Sequence, residues 1–68
     1  MKISMKEKVH DIILATLSQI ASGDDSVTEL LAFYGMFKGF WLLKLIDDNQ
    51  MQKLSEYITE KIEESEVI

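Results

Sequence analysis

Residues 30–46 read LLAFYGMFKGFWLLKLI, a stretch in which Lys38 and Lys44 are the only charged side chains. At about 100° per residue, Val27, Leu31, Tyr34, Lys38, Trp41 and Leu45 form one stripe of a helix. Leu30, Phe33, Phe37, Phe40 and Lys44 form a second, and Ala32, Met36, Gly39 and Leu43 a third. Apolar groups therefore run all the way round. Such a helix has to be covered on every side, by protein or by lipid. The rest of the chain must be weighed as cover for it.

Proline is absent, and the three glycines are Gly23, Gly35 and Gly39. Just upstream, Ser26 and Glu29 make a Ser-x-x-Glu capping box, and Asp24 and Asp25 place negative charge at the positive end of a helix dipole. This predicts a second helix over 26–46, with Gly35 and Gly39 each costing about 1 kcal/mol relative to alanine without ending it. Further upstream, Ser4 and Glu7 form another box, followed by Met5, Val9, Ile12, Ile13, Thr16, Leu17 and Ile20 at three- and four-residue steps. That is a first helix over 4–22, closed by Gly23 as the left-handed residue. Downstream, Asp47-x-x-Gln50 opens a third helix over 48–63. Its apolar stripe of Met51, Leu54, Ile58 and Ile62 is narrow and flanked by Lys53, Glu56, Glu60 and Lys61. The acidic run at 63–66 sits at the negative end of the dipole, so fraying is expected after Glu63.

The expected fold is all-α, three helices in one domain over 1–68. A chain of 68 residues has a marginal core, and without cysteine it cannot use disulfides or thiolate metal sites to support it. Oligomerisation remains. Helices one and three offer one apolar face each, enough for roughly half to two-thirds of the central helix's circumference. Self-association into a homodimer, or a higher homo-oligomer, is therefore expected, through Tyr34, Gly35, Phe37, Lys38, Gly39, Trp41 and Leu45. The Gly-x-x-x-Gly pair has two readings: it admits the backbone of another helix, or it makes room for Phe33, Phe37 or Phe40 within the same chain.

The charge balance narrows the partners. Twelve acidic residues against seven basic ones give −5, and none of the basic residues is arginine. Direct nucleic-acid binding is not expected, since phosphate contacts need basic groups. An acidic imitation of nucleic acid is one alternative. The other is a membrane-associated, holin-like protein, because about 17 residues span about 25 Å. Lys38 opposes that reading: near mid-bilayer a charge costs roughly 2.5–3.5 kcal/mol. Residues 1–8 carry lysines ahead of an amphipathic stretch and do not resemble a signal peptide, so a cytoplasmic location is expected.

No residue pattern supports catalysis or a cofactor. Glu7, His10 and Asp11 share a helix surface but lack the second histidine or the cysteines that make a specific metal site. Asp24-Asp25 and Asp47-Asp48 are explained by helix starts, and neither fits a calcium loop. The aromatic set is spaced as helix packing. On the third helix, Glu56, Glu60, Glu63 and Glu64, with Glu66, offer an acidic surface for a basic protein partner, or simply for solubility.

Phe33-Tyr34-Gly35, Gly39-Phe40 and Leu45-Ile46-Asp47, leading to Met51, Leu54 and Ile58, form an aromatic-glycine helix, an Ile-Asp helix start and a short amphipathic helix. In this pattern residues 33–58 resemble small helical proteins of prophages in Gram-positive bacteria, most of them uncharacterised. The resemblance transfers no active residue. It implies a setting in which such a protein binds and redirects a host protein, defence nucleases among them.

Overall fold

The computed structural model describes residues 4–66, the side chain of Glu66 excepted, so the lysine-bearing extreme N-terminus and the Glu66 carboxylate lie outside the described residues. Three helices follow in order: α1 (Met5–Ala21), α2 (Val27–Leu42) and α3 (Asp48–Glu66). All three starts use the expected caps. The Glu7 amide donates to Ser4 Oγ at 3.1 Å and the Glu29 amide to Ser26 Oγ at 3.2 Å. Only the third box is reciprocal: the Gln50 amide donates to Asp47 Oδ1 at 2.7 Å, and the Asp47 amide donates to Gln50 Oε1 at 3.0 Å. Gly23, at φ +80°, ends α1 as expected.

One core gathers the inward faces: Val9, Ile13 and Ile20 from α1, Leu30 and Phe37 from α2, Ile46 from the following turn, and Met51, Leu54 and Ile58 from α3. Phe37 is its centre, with 0% of its surface exposed. Thr16 is the one buried polar residue among those described, and its hydroxyl donates to the Ile12 carbonyl at 2.8 Å. α2 packs most extensively along α3 and touches α1 at fewer points. Trp41 ties the α2–α3 joint, its Nε1 donating to Asp48 Oδ1 at 2.6 Å.

The end of α2 differs from the sequence expectation: the helix stops at Leu42, four residues before Ile46. The reason is burial. Nine residues on from Phe37, at about 100° each, Ile46 in an unbroken helix would point roughly opposite the core. The chain turns instead, and Ile46 is buried. The turn is a Schellman motif: the Lys44 amide donates to the Trp41 carbonyl and the Leu45 amide to the Phe40 carbonyl, each at 2.9 Å. Its left-handed position is held by Lys44, at φ +62°, where glycine is usual. A side chain there costs roughly 1–2 kcal/mol, against about 1.5–3 kcal/mol for burying an isoleucine, so the turn wins. α3 also runs to Glu66, past the fraying point expected after Glu63.

Lys44→Gly should relieve the strain at the elbow. We expect stability to rise by about 0.5–1 kcal/mol, or roughly 3–8 °C in Tm, read by circular dichroism at a fixed protein concentration.

Candidate functional site

The residues named from sequence as a self-association face do not share one surface. Phe37 lies inside the chain and is thereby removed from any surface face. Tyr34, Trp41 and Leu45 are half-buried and pack against the core, with Trp41 further engaged by Asp48. Gly35 and Lys38 are exposed, and Gly39 is half-buried. α1 and α3 therefore cover the aromatic side of α2.

A different strip stays open. Leu31 is 54% exposed, Leu42 66% and Leu43 72%, with Ala32, Gly35 and Lys38 exposed between them and Thr28 exposed one turn earlier. On a helical wheel these residues lie roughly opposite Phe37, with Leu31, Lys38 and Leu42 on one flank and Leu43 on the other. Sequence reading missed the leucines because the all-round apolar character of α2 gives no amphipathic signal to orient it.

The surroundings of the two glycines bear on the reading in which they make room within the chain. A Cβ built on Gly35 or Gly39 would meet nothing within 4 Å, so no neighbour in the chain needs the space. The helix carries two low-propensity residues, each about 1 kcal/mol worse than alanine, without an internal packing return. At these two positions the helix carries no side chain on or beside its open side.

The acidic set also has a definite place. Glu56, Glu60, Glu63 and Glu64 are all exposed, on the side of α3 turned away from Met51, Leu54 and Ile58. Lys61 bridges to Glu64 at 3.5 Å and lies 5.5 Å from the Tyr57 ring centroid. Such an exposed pair contributes little to stability.

A cleft of about 770 Å³ opens between the beginning of α1 and the α2–α3 elbow. Val9, Ile13, Trp41 and Ile46 line it, with Lys6 and His10 on the α1 side. Its two carboxylates, Asp47 and Asp48, are committed to capping α3 and holding Trp41. Among the described residues no group of three or more His, Asp or Glu side chains is placed to hold a metal ion, and the Glu7, His10 and Asp11 trio forms no such group. Nor is any described helix long and apolar enough to cross a membrane.

Gly35→Ala should stabilise the isolated chain by up to about 1 kcal/mol, because the methyl group meets no obstacle. Urea denaturation at the lowest workable concentration tests this, and a loss of stability would show that the space is used within the chain. No protein-family model, curated protein or solved structure matches the chain.

Proposed function

We propose that this chain is a protein-interaction module without catalytic activity, and that the open side of α2 binds a second copy of itself. The observation that carries the reading is the combination on one strip of Leu31, Leu42 and Leu43 with two glycines that no internal contact requires. Apolar side chains grouped on a surface mark an interaction site more often than singly scattered ones do. Fully burying a leucine is worth about 1.5–3 kcal/mol, and one already half-exposed gains a corresponding part of this when a partner covers it. Two glycines without side chains let a partner helix approach closely and add van der Waals contact there. The strip is short and association has its own entropic cost, so the pairing is reversible and depends on concentration.

The acidic side of α3 stands clear of this strip, and in our reading it is the surface left for a second, basic protein. Exposure of Glu56, Glu60 and Glu63 on one helix side supports that role. The resemblance to prophage proteins adds the setting, an adaptor or inhibitor acting on a host protein in the cytoplasm.

Sedimentation velocity without detergent, across a concentration range reaching the high micromolar, tests the pairing. We expect the mass to approach that of two chains, and Leu42→Glu to keep it at one chain with unchanged helicity. Phe37→Glu should instead abolish folding itself, since it forces a charge into the centre of the core. A wild-type chain that stays monomeric throughout, or an unaltered mass for both Leu42→Glu and Leu31→Glu, would sink the reading.

A further inference from the structure

At the end of the bundle away from the elbow, the turn between α1 and α2 faces the last turns of α3 across a gap of about 290 Å³. Gly23 and Asp25 border it from the turn, and Lys61, Glu64 and Ser65 from α3. Asp25 has one oxygen in use and one without a partner. Its Oδ1 accepts from Gln19 Nε2 at 2.9 Å, whereas Oδ2 is buried and, alone among such side-chain atoms of the described residues, has no hydrogen-bond partner. A carboxylate oxygen taken out of water without a donor is costly, so a mobile donor nearby is drawn to it.

The donors around the gap are otherwise committed. The Gly23 amide donates to the Ile20 carbonyl and the Leu30 amide to the Ser26 carbonyl, each at 3.0 Å, and the Ser65 hydroxyl donates to the Lys61 carbonyl at 3.1 Å. The Lys61 ammonium group is the exception. It lies 3.5 Å from Glu64, longer than an ordinary N–H···O bond, and it has three protons to give on a flexible stem.

We infer that Lys61 is a latch with two positions, held on Glu64 in this structure and poised to swing to Asp25, where it ties the α1–α2 turn to the end of α3. Exposed pairs such as Lys61 with Glu64 contribute little, because water competes for both groups. At Asp25 the same ammonium group would satisfy an oxygen that has no other donor, against the cost of drawing the lysine partly out of water. The tie matters for α1, which packs on α2 but makes no close backbone approach to α3. Glu64 also belongs to the acidic side of α3, so a cation that occupies Glu64 releases Lys61 and closes the latch. The latch itself does not depend on the self-association proposed above.

Urea denaturation of the full chain, at the lowest workable concentration, compares Asp25→Asn, Lys61→Met and the double variant, first alone and then with Glu64→Gln added to each. Lys61→Met keeps most of the apolar stem and removes the charge. With Glu64→Gln present, the two substitutions should be coupled about fivefold in the folding equilibrium constant, and less when Glu64 is intact. Lys53→Met, at an exposed position on the same helix, should show no such coupling with Asp25→Asn. Hydrogen exchange gives a second measure: Glu64→Gln should slow amides 17–21 of α1 several-fold, and Lys61→Met should abolish the slowing. Independent effects of Asp25→Asn and Lys61→Met in the Glu64→Gln chain would overturn the latch. Equal coupling with and without Glu64 would overturn the second position.

Discussion

Three helices around one core leave part of each one's circumference facing outward, and this geometric limit governs the whole molecule. On α3 the outer side is charged and polar, while α1 exposes Met5, Ile12 and Leu14 among polar residues. α2 is different again. Its inner and lateral surfaces are fully used, with Phe37 at the centre and Phe33, Tyr34, Met36, Phe40 and Trp41 packed around the core. Its outer side holds Leu31, Ala32, Gly35 and Leu42 beside Thr28, Glu29 and Lys38. Packing of the core accounts for every aromatic residue of α2. It gives no account of the outer leucines, on which the proposed assembly rests.

The elbow after α2 shows the same core imposing its demands on the backbone. Leu42 and Leu43 remain outside while Ile46 is brought in, and the transition takes place at Lys44 in a conformation that lysine tolerates poorly. A glycine would serve the turn better and would have no ammonium group to present. Strain of this kind persists where surrounding structure over-determines it, and it often gathers at places with a task beyond folding. Here the strained lysine borders the cleft at the elbow, beside Trp41 and Leu42.

Much of this was legible from local chemistry. Ser4, Ser26 and Asp47 each announced a helix start, and Gly23 announced a helix end, because capping depends on a few adjacent atoms. The end of α2 was hidden for the complementary reason: no glycine or proline marks it, and only the distant core explains why Ile46 must turn inward. The orientation of α2 was equally hidden. A helix apolar on all sides has no preferred direction until its neighbours are placed, so Tyr34, Phe37 and Trp41, the bulkiest members, were natural choices for a contact between copies. Bulk instead drew them toward the interior. An argument from circumference alone could not specify which residues would be left without cover.

The bond between Trp41 and Asp48 has an optical consequence. The chain has one tryptophan, and its indole nitrogen is fastened to the first turn of α3. Intrinsic fluorescence excited in the indole band therefore watches the hinge between the last two helices, while the outer leucines lie on another side of the same rod. Because Trp41 also borders the cleft shared with Val9, His10 and Ile13 of α1, its emission reports the joint where all three helices come nearest one another.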